Sequence, residues 1–320
     1  MRRTAVVVCL LAASVSVADE VARRRDAAWL AGLTSAREAL EWSDVAIRQD
    51  WRLQRRAVDG ACRILDPRDG TAREGTPAEC AASFAELVRM GTIPQPVGGP
   101  TVIVLHGLGE GRSSMRPLVA HLRRSLRATV LSFGYASTHA DIDAHGRALG
   151  EVIAGLPRDA TLSFVGHSLG NLVVRRWMNG APADDIARTE RMVMLGPPNQ
   201  GSQLARRIGG VELLAGLAHG AARDLVVDWE RVSPRLAVPP CDFGIIAGGK
   251  GDAAGFSPLL DGDDDAIVSV AETRLEGADD FLVVPVHHAA MMRHPEVQRA
   301  TGSFLEAGRF GAAETAGSAP

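Results

Sequence analysis

The chain has 320 residues, 46% hydrophobic and 23% charged, with a formal net charge of −3. That length fits one large α/β domain or two ordinary ones, and the composition excludes a disordered or fibrous chain. A charge so near zero gives no global bias toward nucleic acid, and no apolar run reaches the ~18 to 20 residues of a membrane span. Lys250 is the sole lysine, and arginine supplies the other basic side chains.

The N-terminus reads as an address. Arg2 and Arg3 precede an apolar or small stretch from Thr4 to Val17, and Ser16-Val17-Ala18 gives a small-x-small cleavage pattern before Asp19-Glu20. This predicts a secretory signal peptide over residues 1–18, hence an exported protein, periplasmic or extracellular. Residues 19–96 read as a helical extension with a linker. Trp29, Leu33, Ala36 and Leu40 recur at helical spacing, and Ile47 and Trp51 continue the pattern. Cys62 and Cys80 flank a loop rich in Gly, Pro and Asp. In an oxidising compartment a disulfide between them would contribute roughly 3 kcal/mol, leaving Cys241 unpaired. The alternative is three unpaired thiols. Ile93 to Pro100 is a linker by composition.

From residue 97 to 310 the texture changes. Short runs apolar on both faces occur at Thr101–Leu105, Ala128–Phe133, Thr161–Val165, Met192–Leu195, Phe243–Ala247 and Phe281–Val286. Helix-period segments such as Met115–Leu126 and Ile142–Leu156 lie between them. The alternation predicts an α/β fold with a mostly parallel sheet of about six strands flanked by helices. Residues 311–320 read as a flexible tail.

Gly166-His167-Ser168-Leu169-Gly170 follows the third run directly, and Asn171 to Met178 opens a helix. That is the context of a strand-turn-helix elbow, which exposes a serine hydroxyl on a strained turn. A serine needs a base, an orienting acid and donors for the developing oxyanion. The sixth run leads into His287-His288, either of which can lie over the elbow. The acid should follow the fifth run, where Asp261, Asp263, Asp264 and Asp265 all lie before Ile267-Val268. His106-Gly107-Leu108-Gly109 follows the first run, so the amides of Leu108 and Leu169 are the candidate oxyanion donors.

Together Leu105–Gly109, Gly166–Gly170, Pro197-Pro198-Asn199-Gln200-Gly201-Ser202, Asp265-Ala266-Ile267-Val268 and Val286-His287-His288 resemble the bacterial lipase/esterase branch of the α/β-hydrolases. The likeness covers about residues 100 to 310. It implies an acyl-enzyme mechanism on carboxylic esters without a cofactor. Ser168 would be the nucleophile, Asp265 the acid from its D-x-I-V position, and His288 the base.

Two further features need weighing. Asp261, Asp263 and Asp265 fall at calcium-loop positions, with Glu272 at the twelfth, but Ala266 replaces the turn glycine and full flanking helices are missing. No metal site is therefore expected there. Residues 201–238 form an insertion in which Leu204, Ile208, Val211, Leu214 and Leu217 make an apolar stripe. It reads as a cap suited to an acyl chain and to peripheral contact with lipid. The expected partner is a small-molecule or lipid ester, with no nucleic acid and no transmembrane segment; oligomeric state is not legible. Acyl transfer through the same triad, or a non-catalytic binding protein on this scaffold, are the competing readings.

Overall fold

The computed structural model describes residues 40–208, 220–226 and 228–311. The signal-peptide segment, Trp29, Leu33 and Ala36 lie outside them. From Trp42 onward the expected helical extension is corrected: β1 (Trp42–Arg48), β2 (Trp51–Arg56), β3 (Cys62–Leu65) and β4 (Thr71–Gly75) form a four-stranded antiparallel sheet in sequential order. Ile47 and Trp51 mimic one helical turn, but Gln49 and Asp50 between them are a hairpin turn, with Gln49 at φ 54°. The inward side of the sheet is also polar. Asp44, Arg52, Gln54 and Arg63 are all buried, so the polar residues of these strands do not mark a solvent-facing side.

Helix α1 (Pro77–Arg89) starts on a capping box between Thr76 and Glu79 and covers this sheet. Cys62, Ile64, Cys80, Phe84 and Ile93 form the small core, so Ile93 belongs to that core rather than to a linker. Cys62 and Cys80 are free thiols, in place of the expected disulfide. Both sulfurs point at carbonyls: Cys80 donates to Cys62 O at 3.3 Å and Cys62 to Gly60 O at 3.8 Å.

The second sheet follows the reading of its six runs. Its strands are β5 (Thr101–Leu105), β6 (Thr129–Phe133), β7 (Leu162–His167), β8 (Thr189–Leu195), β9 (Asp242–Gly248) and β10 (Asp280–Val284). Their order is β10-β9-β8-β7-β5-β6 and every pairing is parallel. Interleaved with them are α2 (Arg116–Ser125), α3 (Ile142–Ala154), α4 (Leu169–Met178), α5 (Ala183–Ala187), α6 (Gln203–Ile208), α7 (Ala221–Val226), α8 (Trp229–Val232), α9 (Val270–Thr273) and α10 (Pro295–Ala307). Side chains of α3 and α4, such as Leu149, Val152 and Leu172, pack on one face of the sheet. Those of α2 and α10, such as Leu118, Leu122, Val297 and Phe304, pack on the other. This is why the strands are apolar on both sides.

The chain runs from β5 outward to β6 and returns to place β7 on the other side of β5. In such sheets the crevice at the carboxyl ends of the strands flanking this reversal is the place for a ligand. The loops entering it follow β5 and β7. The 201–238 insertion contributes α6, α7 and α8, while Val211, Leu214 and Leu217 lie outside the described residues. Its described parts hold two different loops. Arg207 of α6 reaches Leu259 O and Asp261 beyond β9 (2.8 and 2.6 Å). Ala221 of α7 donates to Ala140 O beyond β6 (2.8 Å), and Asp224 accepts from Ile142 N (2.9 Å).

Candidate active site

Ser168 stands between β7 and α4 at φ 51° and ψ −120°, a conformation disfavoured for any residue but glycine and held by its surroundings. Its N–H donates to Leu195 O at 2.9 Å, which ties the turn to the neighbouring strand. Gly170 lets α4 approach β5, since a Cβ there would lie 2.8 Å from His106 O and 2.9 Å from Leu105 Cβ. The Ser168 hydroxyl makes no hydrogen bond among the described residues, as is common before a substrate arrives.

Of the two adjacent histidines, His288 is buried and His287 exposed. His288 Nδ1 lies 2.6 Å from Asp265 Oδ2, and its backbone N–H donates to Asp265 O at 2.9 Å. Asp265 Oδ1 accepts from the amides of Ile267 and Val268 at 3.0 and 2.8 Å, so the carboxylate is fixed from both sides. Gly196, at φ 51°, leaves room for the imidazole: a Cβ on it would sit 3.0 Å from His288 Nδ1. His287 packs against Phe256 instead, with ring centroids 3.9 Å apart and the planes tilted by 40°.

The other three acids do different work. Asp263 accepts from Lys250 N and Gly251 N (2.7 and 2.8 Å), and Asp264 from Ser257 N and Ala266 N (3.0 and 2.6 Å). Asp261 pairs with Arg207. Ala266 takes φ 83°, making the turn without the glycine of a calcium loop. Among the described residues no group of three or more His, Cys, Asp or Glu side chains is arranged to hold a metal.

The loop after β5 lies against the nucleophile: a Cβ on Gly107 would be 3.2 Å from Ser168 Cβ. Among the described residues the N–H groups of Leu108 and Leu169 donate no hydrogen bond. Leu169 opens α4, where an amide has no intrahelical partner. His106 is fully buried and its loop role is bracing. Its Nδ1 is 2.9 Å from Gly107 O, and its Nε2 takes the Tyr135 N–H at 3.3 Å. Burial lowers its pKa to about 4, so the ring is neutral.

Two residues of the site were not singled out from the sequence. Glu110 Oε2 accepts from Gly107 N (3.0 Å), Ser114 Oγ (2.9 Å) and His167 Nδ1 (3.2 Å). His167 Nε2 lies 3.2 Å from His288 O, and the two rings are 4.5 Å apart. One carboxylate and one imidazole thus link the loops of the donors, the nucleophile and the base. Burial works to raise the Glu110 pKa, but the hydrogen bonds it receives outweigh that and hold it well below the usual carboxylate range. Burial, followed by the neighbouring His288, lowers that of His167. The Pro197–Ser202 motif is a brace: Asn199 accepts from Arg175 of α4 at 2.9 Å and donates to Thr273 O at 2.8 Å.

Residues 101–194 match the model of the family described as "Putative serine esterase (DUF676)". That span holds Ser168, while Asp265 and His288 lie beyond it. No curated protein sequence matches the chain. Among solved structures, the mature form of the Bacillus licheniformis lipase BlEst2 is similar with a TM-score of 0.53 at 18% identity, over 67% of this chain and 94% of that one. Phospholipase PlaB from Legionella pneumophila gives 0.52 at 15% identity, over 67% of this chain and 60% of that one. The chain has the α/β-hydrolase fold. Over β5 to β8 the chain is similar to a family described as serine esterases.

Proposed function

We propose that the protein is an exported serine esterase that works through an acyl-enzyme on Ser168, with His288 as base and Asp265 as orienting acid. The observation that carries this reading is the 2.6 Å contact between His288 Nδ1 and Asp265 Oδ2, with the His288 ring 4.5 Å from that of His167, the residue before a serine held at φ 51°. Asp265 keeps the Nδ1 proton in place and leaves Nε2 free to take the proton of Ser168 as its oxygen attacks the ester carbonyl. The carbonyl oxygen becomes an anion between the N–H groups of Leu108 and Leu169. The latter also carries the positive end of the α4 dipole. Collapse expels the alcohol, which receives its proton from His288. Water, activated in the same way, then releases the acid and restores the serine. No cofactor enters these steps.

The amino-terminal pattern supports an export signal over residues 1–18, and mass analysis of the exported chain should give Asp19 as its first residue. The apolar stripe of residues 201–238 supports a cap that receives an acyl chain and meets lipid. No helix among the described residues is long and apolar enough to cross a membrane.

The central test is Ser168→Ala. It should lose on the order of 10⁶-fold in kcat on a p-nitrophenyl ester, since triad members act as a unit. It should also lose labelling by a fluorophosphonate while melting close to wild type. Retention of a tenth of the activity rejects the assignment.

A further inference from the structure

The segment Gly134–Ser137, which leaves β6, is hydrogen-bonded on two sides. On one side it meets the N-terminal sheet. The Asp44 N–H donates to Gly134 O (2.9 Å), Asp44 Oδ2 accepts from Gly134 N (2.7 Å), and Ser43 Oγ accepts from Ala136 N (3.1 Å). On the other side it meets the His106–Glu110 loop. Tyr135 Oη donates to His106 O (2.5 Å), its ring stacks on His106 at 4.2 Å, and Ser137 Oγ accepts from Gly109 N (3.2 Å).

The anchor on the sheet side is rigid. Asp44 is fully buried, and its carboxylate is saturated by Arg52 (2.6 Å), Gln54 (2.8 Å) and Gly134 N; Arg52 also donates to Ser132 O (2.7 Å). The loop on the far side braces Gly107 through its own His106 and Glu110, whereas Gly109, on the other side of Leu108, donates its N–H to Ser137 outside the loop. An oxyanion donor has to be held close to its working position before the reaction starts.

We infer that the N-terminal sheet belongs to the catalytic apparatus: through Ser43 and Asp44 it fixes the Gly134–Ser137 segment, which in turn positions the Leu108 N–H. Ser43 and Ser137 are positioning residues in this arrangement. The inference rests on the esterase reading for its kinetic consequence, but the mechanical coupling has a readout of its own.

Hydrogen–deuterium exchange of the peptide spanning 106–110 provides that readout. Ser43→Ala and Ser137→Ala should each exchange about tenfold faster there than wild type, with Ser43→Thr restoring protection. Unchanged exchange in Ser43→Ala overturns the coupling. On a p-nitrophenyl ester, Ser137→Ala should lower kcat about tenfold with KM within about twofold, less than the 10² or more for deleting a donor outright. The Ser43→Ala/Ser137→Ala pair should be little worse than Ser137→Ala, because the two act in series. Losses that multiply, or that appear only as a lower Tm with kcat intact, overturn the positioning role. Faster exchange in a protein whose wild type neither hydrolyses esters nor takes a fluorophosphonate keeps the coupling and removes the esterase reading instead.

Discussion

Three consecutive aspartates and two consecutive histidines sit within one small volume, and their hydrogen bonds separate them. Asp265 alone among the three faces His288, and His288 alone of the pair is buried against the elbow residue His167. Asp265→Asn and His288→Ala should each lower kcat/KM by at least about 10³-fold, because the imidazole loses its orientation or is gone. Asp263→Asn, Asp264→Asn and His287→Ala should each cost less than about tenfold on the same ester. Asp264 is fully buried and accepts from the amides of Ser257 and Ala266, so its replacement should show up in the melting temperature rather than in kcat. A large kinetic loss in Asp263→Asn or His287→Ala would move the acid or the base to that neighbour.

The two sheets differ in what the sequence reveals of them. The inner strands of the parallel sheet are buried on both faces and the edge strand β10 only in part, yet each stands out as an apolar run, and observed ends fall within a few residues of the expected ones. In the antiparallel sheet the inward positions of β1, β2 and β3 hold Asp44, Arg52, Gln54 and Arg63, which no hydrophobic period can flag. The site divides along similar lines. Ser168 is legible because the elbow is local, whereas Asp265 and His288 were distinguished from their neighbours only by family resemblance. Glu110 meets His167 across 57 residues, a contact that no spacing rule supplies. The buried polar sheet has an energetic signature. Asp44→Ala would leave Arg52 charged in the interior without its carboxylate, still holding on to Ser132 O, and should destabilise by about 3 to 5 kcal/mol in urea melts. Glu151→Ala, which breaks the exposed 2.6 Å pair of Arg55 with α3, should cost less than about 1 kcal/mol. Equal losses from both would mean that the interior pair is no anchor.

Across the whole molecule, the buried histidines among the described residues should shape the response to acid before Glu110 contributes. Burial lowers the pKa of His106 to about 4 and that of His145 to about 3, and it also lowers that of His167. The unfolded chain takes up protons on these side chains near pH 6.5, while the native state refuses them until the pH reaches the lowered values. Between those limits the unfolded state binds more protons, so stability falls as pH falls. Glu110 acts in a lower window: its depressed pKa makes it stabilising above about pH 4.5, and that contribution is lost as pH drops toward its folded value. His145 isolates the histidine effect. It is fully buried against Tyr135 with ring centroids 4.6 Å apart, and neither ring nitrogen makes a well-formed hydrogen bond among the described residues. Phenylalanine is close to it in shape and removes two unsatisfied polar atoms from the interior. In denaturant melts, His145→Phe should therefore be more stable than wild type at pH 8, where neither form of the histidine is charged. Its advantage should grow by on the order of 2 kcal/mol at pH 5, the cost of keeping a side chain of ordinary pKa near 6.5 neutral there. An advantage that stays constant from pH 8 to pH 5 would show that His145 is protonated in the native fold, and the acid sensitivity would then have to come from His106 and His167.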